Sequence, residues 1–211
     1  SFLMHDINLA TANPAHPITK FAVGNNLTLS DKAGSKLQDE LVKFYQQYYS
    51  SNLMKAVLYS NQSIEQLAKL ANQTLGKVEN KQLHAPQVTE PFFRAEDKSV
   101  IVNYRPVKSQ KMMVLSFDLP ESKAAFKHKT GEYLAYIFNS NTAGTLSDYL
   151  IKQGLSDSGI QVEFSADVSR NRGDFSFYIE LTDKGLAQRE QILSLVHQQI
   201  QHVTQPHIQA Q

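Results

Sequence analysis

The sequence predicts an α+β fold in which helices pack on one face of a mostly antiparallel sheet, and three observations carry that prediction. Ile160, Val162, Phe164, Ala166 and Val168 alternate with Gln161, Glu163, Ser165 and Asp167, the period of a strand with one side buried. After Arg170-Asn171-Arg172-Gly173 the alternation returns as Phe175, Phe177, Ile179 and Leu181, so the two runs form an antiparallel hairpin with one apolar face. Thr182 then caps a helix carrying Leu186, Leu193, Val196, Ile200 and Val203, spaced to lie over that face.

The remaining elements follow in order. Phe2, Leu3, Ile7 and Ala10 recur near helical spacing with no cap ahead of them, so the chain reads as starting inside a helix. That helix stops before Asn13-Pro14, because the residue preceding a proline is pushed out of the α region. A polar loop with Gly24-Asn25-Asn26 and Gly34 leads to a helix striped by Leu37, Leu41, Phe44, Tyr45 and Tyr48, which Ser50-Ser51-Asn52 breaks. Leu53 to Tyr59 is short, apolar and bounded by Ser and Asn, and reads as a buried strand. Ser63 with Gln66 is a capping box ahead of Ile64, Leu67, Leu70, Ala71 and Leu75, closed by Gly76.

From Val78 to Phe92 the chain turns polar and is stiffened by Pro86 and Pro91, which marks 86–92 as a linker between regions 1–85 and 93–211. Beyond it, Ser99 to Tyr104 and Lys111 to Leu119 read as strands, Ala124 to Phe138 as a helix, and Thr145 to Gly154 as a shorter helix. Thr204 to Gln211 is glutamine-rich, interrupted by Pro206, and expected to fray.

Composition excludes several function classes. A net charge of +1 from 21 basic and 20 acidic residues offers no electrostatic footprint for nucleic acid or an anionic membrane. No apolar run reaches the roughly 20 residues that span a bilayer, and no signal peptide is expected at this N-terminus. With no cysteine there is no disulfide, thiolate zinc site or cysteine nucleophile.

A hydrolytic zinc site needs imidazoles and a carboxylate brought together, usually by one helix turn. Neither His-Glu-x-x-His nor His-x-x-Glu-His occurs among His5, His16, His84, His128, His197, His202 and His207. His197 and His202 are five apart and lie on different helix faces. His16, between Ala15 and Pro17, reads as a local hydrogen-bonding group in a turn. Serine nucleophile elbows and phosphate loops are also absent, so no catalytic or metal residue is assigned on this chain. Gly24-Asn25-Asn26 reads as a turn rather than a binding loop. Tyr45, Tyr48 and Tyr49 read as core and core rim, and Arg170 and Arg172 at the hairpin tip as solvated.

Four blocks carry a resemblance in matching order. They are Asn13-Pro14-Ala15-His16-Pro17 through Asn52-Leu53-Met54, then Gly76-Lys77-Val78-Glu79-Asn80-Lys81, then Ala143-Gly144-Thr145-Leu146-Ser147-Asp148-Tyr149-Leu150, and finally Leu181-Thr182-Asp183-Lys184-Gly185-Leu186. Across about Asn13 to Ile200 the chain resembles the pitrilysin and insulin-degrading enzyme family of zinc metallopeptidases, M16, in its bacterial branch. The resemblance implies four homologous α+β domains around a chamber where peptides are cut. It makes 1–85 the closing part of the first peptidase-type domain and 93–211 the opening part of the second. The His-x-x-Glu-His zinc ligands and the base glutamate would precede Ser1, so this chain is expected to be inactive alone and to bind no zinc.

The resemblance also implies a substrate-binding surface, a loop at Asn139, Ser140, Asn141 and Thr142 beside a strand starting at Gly159, Ile160, Gln161 and Val162. An edge strand offers unpaired backbone groups to an extended peptide. Ala143 departs from the family, which usually has proline there. The implied partners are peptide substrates and the other domains of a parent chain, and the implied location is the bacterial periplasm. A non-catalytic binding or assembly subunit of the same superfamily is the alternative.

Overall fold

The structure, a computed structural model, describes Ile7 and residues 9–20, 23–106, 109–169 and 171–204. Its contacts form two units, Ser1–Thr19 with Glu90–Gln211, and Lys20–Thr89. One crossing, Thr89 to Glu90, falls inside the proline-bearing stretch 86–92, and the other lies between Thr19 and Lys20.

In the unit Lys20–Thr89, helices α1 (Leu37–Tyr48) and α2 (Ile64–Thr74) form where the apolar stripes predict them. Ser63 and Gln66 make the reciprocal capping box, each accepting a backbone N–H of the other. The only buried residue described here is Ser50, whose hydroxyl accepts the Lys81 N–H at 2.8 Å. Nearby, Ser51 N–H donates to the Glu79 carbonyl and Asn52 Nδ2 to the Leu83 carbonyl. Two expectations are corrected. Leu53 to Tyr59 forms no strand but a 3-10 turn, Ser51–Leu53, followed by irregular chain in which Val57 and Tyr59 are fully open to solvent. A strand is stable only beside a partner, and none of the described residues pairs with it. Tyr45 stacks on Tyr49, and Phe44 meets the rings of Tyr48 and Tyr49, yet all four are exposed rather than core.

The other unit holds the sheet. Strands β1 (Met112–Pro120), β2 (Ser156–Ser165) and β3 (Arg172–Leu181) lie in the order β1-β3-β2, antiparallel throughout. Register sets Leu115 and Val162 on either side of Phe177, and Phe117 and Phe164 on either side of Phe175. The period-two residues of all three strands therefore share one face. On that face lie α3 (Thr130–Phe138), α4 (Leu146–Lys152), α5 (Asp183–Ala187) and α6 (Arg189–Thr204). Leu150, Ile179, Ile192 and Val196 are completely buried there, and Phe177 meets the rings of Phe117, Phe138 and Phe175 edge-on at 5.2 to 6.0 Å. Gly185 is required at the start of α5, since a Cβ there would collide with the Leu155 carbonyl.

Differences from the predicted elements have local causes. The helix expected from Ala124 begins only at Thr130, because Lys129 adopts φ +56°. The last helix is broken at Gln188, and Ile192 takes the core position that spacing gave to Leu186, which is exposed. Ser99 to Tyr104 joins no ladder, and Val100, Ile101 and Val102 are exposed. Arg172 is buried rather than solvated. Its Nε donates to Asp118 Oδ1 and its Nη2 to Asp174 Oδ1, both at 2.7 Å, while the guanidinium lies 4.4 Å from the centre of the Phe92 ring. Asn13 and Asn171 tie the same segment by donating to the carbonyls of Pro91, Phe92 and Glu90. Phe2, Leu3, His5, Arg170, His207 and the tail from 205 lie outside the described residues.

Candidate functional site

The loop and strand named from sequence do come together. Helix α3 ends at Phe138, and Asn139, its C-cap, turns its side chain both ways. The amide Nδ2 donates back to the Ala135 carbonyl at 2.8 Å, the same oxygen that accepts the Asn139 backbone N–H at 2.9 Å. It also donates to the Val162 carbonyl at 2.8 Å, while Oδ1 accepts the Val162 N–H at 2.7 Å. Gly159, at φ +78°, approaches so closely that a Cβ would stand 2.7 Å from Ser147 Oγ and 3.2 Å from Asn141 Oδ1. Ser140 and Thr142 share a hydroxyl hydrogen bond of 3.0 Å within the loop. Gln161 faces away from this junction and donates to Glu163 at 3.1 Å.

Strand β2 lies at one side of the three-stranded sheet, and among the described residues it pairs only with β3. Antiparallel ladders alternate residues that bond one neighbour with residues that bond the other. Because Val162 bonds Asn139, the backbone groups of Ile160, Val162 and Phe164 face outward. Ser147 takes the next of these, its Oγ accepting the Ile160 N–H at 2.8 Å. Sequence reasoning missed Ser147. Its signal was a hydroxyl on the face of α4 that also carries Leu150, a place where a polar group is kept only if paired.

The loop is fixed from α4 as well. Asp148 Oδ2 accepts the Gly144 N–H at 3.0 Å and Lys152 Nζ at 2.8 Å. The Lys152 hydrogen bond, and then the Gly144 N–H, hold the Asp148 carboxyl below the usual aspartate range. The result is a preformed strand edge on which Asn139 and Ser147 already hold the backbone groups of Val162 and the N–H of Ile160.

A second concavity, of about 190 Å³, lies on the opposite sheet face between Glu163, Asp174, Ser176 and Tyr178. Burial, and then the carboxylates of Glu163 and Asp174, push the Tyr178 hydroxyl pKa up. Its cation, Arg172, is already committed to Asp118 and Asp174.

Among the described residues no three His, Asp or Glu side chains come together to hold a metal ion. His16 is buried, its Nδ1 accepting the Ile18 N–H at 3.1 Å and its ring set against Phe92. His84, His128, His197 and His202 are exposed. Asn25 makes the turn expected of it, with Oδ1 accepting the N–H groups of Leu27 and Thr28. No described helix is long and apolar enough to cross a membrane.

An α+β chain with a three-stranded antiparallel sheet covered by helices matches a known class. The model of the family described as the peptidase M16 inactive domain fits residues 36–211, and the chain belongs to that family. It is 42% identical over 193 residues to Protease 3 of Escherichia coli (strain K12), and equally so to Protease 3 of Salmonella typhi. Against human insulin-degrading enzyme it is 29% identical over 201 residues. These alignments cover 92% and 94% of the chain and 20% of each relative, so the chain spans about a fifth of their length. The crystal structure of pitrilysin superposes with a TM-score of 0.84 at 42% identity, over 90% of this chain and 20% of that one.

Proposed function

We propose that this chain is a non-catalytic part of a pitrilysin-like zinc metalloendopeptidase that hydrolyses peptides inside a chamber, and that it supplies chamber wall and a substrate-anchoring surface. Residues 1–85 would close the first peptidase-type domain and 93–211 open the second, with 86–92 between them. The observation that carries this reading is the 42% identity to Protease 3 across nearly the whole chain, combined with a family described as inactive. Zinc and the general base would come from other parts of the parent, and the bacterial periplasm would be its location. The anchoring surface would be Asn139, Ser140 and Asn141 with Gly159, Ile160, Gln161 and Val162, where an extended peptide adds to the sheet edge.

The test is metal analysis of the purified chain with an assay on a quenched fluorescent peptide, with and without chelator. The expected result is no stoichiometric zinc and no chelator-sensitive cleavage. Zinc near one per chain, or cleavage that a chelator stops, overturns the reading. The family's description as inactive also favours a second reading, a binding or assembly subunit of the superfamily. The encoded residues before Ser1 separate the two: His-x-x-Glu-His there supports the peptidase, and a start codon near Ser1 supports the subunit.

A further inference from the structure

We propose that Asn139 is a gate on the β2 edge, an internal stand-in for one residue of a bound peptide that must swing out before an extended peptide can pair there. The proposal rests on the reading of β2 as the anchoring strand and adds how that strand is controlled. An incoming antiparallel strand exchanges an N–H and a C=O with the edge residue opposite it. The Asn139 carboxamide reproduces that exchange on Val162, with one acceptor at 2.7 Å and one donor at 2.8 Å. A peptide and this side chain therefore compete for the same two backbone groups.

The two side chains on the edge differ in freedom. Ser147 is 1% exposed and fixed within α4, so its bond to Ile160 stays in place. Asn139 is exposed at a helix end, followed by the exposed residues Asn141, Thr142, Ala143 and Gly144, so its side chain can rotate into water. Among the described residues, the outward groups that no side chain takes are the Ile160 carbonyl and the N–H and carbonyl of Phe164. A peptide that docks on Phe164 is thus stopped at Val162 until the amide leaves. Apparent affinity is reduced by the fraction of molecules with the gate shut.

The test is binding of a soluble heptapeptide, Lys-Val-Thr-Val-Thr-Val-Lys with a free amino terminus, to the chain and to its Asn139→Ala variant, with hydrogen exchange at the Val162 amide read in parallel. Three neutral hydrogen bonds hold the gate, two of them to Val162 and one to the Ala135 carbonyl, so Asn139→Ala is expected to bind about tenfold more tightly or better. The Val162 amide should lose protection in the variant and regain it with peptide. Asn139→Asp keeps the acceptor for the Val162 N–H but loses the donor, and is expected to bind between the two. It also serves as the second variant should Asn139→Ala fold poorly. Equal binding by all three overturns the gate and leaves the anchoring strand standing. Binding by none overturns the anchoring reading itself.

Discussion

Two regions of this chain carry helices with apolar stripes, and only one turns its stripe into a core. In the unit with the sheet, α6 buries Ile192 and Val196 completely against β3 and its neighbours. In Lys20–Thr89, α1 leaves Leu41, Phe44 and Tyr45 about half exposed, and neither α1 nor α2 has a buried residue. Amphipathic spacing makes a helix possible, but packing against a second surface supplies most of its stability. The sheet provides that surface for α6. The helices of Lys20–Thr89 rest on local devices, the Ser63 capping box and the Ser50 hydrogen bonds.

The largest expected effect contrasts the two regions directly. Phe177→Ala removes a ring that is 2% exposed and touches three other rings, and it should cost about 3–5 kcal/mol in denaturant unfolding. Phe44→Ala, at 52% exposure, should fall within about 0.5 kcal/mol. Equal losses would break the comparison. Next in size is Ser147→Ala, which leaves the buried Ile160 N–H without its acceptor and should cost about 1–3 kcal/mol. A loss no larger than that of Phe44→Ala would mean that water replaces the hydroxyl.

The smallest effect is pH-dependent. Folding lowers the Asp148 pKa from its ordinary 3.8, so the ionised form is favoured in the native state. Its contribution is complete above the ordinary value and lost as the pH falls through the lowered one. Thermal midpoints followed from about pH 6 to pH 2 should therefore drop less steeply in Asp148→Asn than in the parent. An unchanged acid limb would remove Asp148 from the forces that hold the 139–145 loop.

Much of the fold was legible because its signals are local. The hairpin, the capping box at Ser63, the Thr145 and Thr182 caps and both stripes depend on neighbours within a few residues. The failed strands at Leu53 to Tyr59 and Ser99 to Tyr104 show the limit, since a strand's existence depends on a partner that composition does not announce. Arg172 looked solvated because its carboxylates, Asp118 and Asp174, are assembled only by the β1-β3 pairing. At the candidate site, the positions of Asn139 and Val162 came from family resemblance. The fork between them was invisible, because their separation of 23 residues has no local signature.

The sequence by itself determined which segments are helices or the hairpin, which face of each is apolar, and that no zinc motif is written in this chain, because periodicity, caps and motifs are read over a few residues. Only the tertiary structure decided which stripes are buried, that Arg172 is an internal ion pair, and that the β2 edge is closed by Asn139 and Ser147. Those outcomes depend on which distant backbone and side-chain groups meet, and hydrogen-bond and burial energies act only once they do.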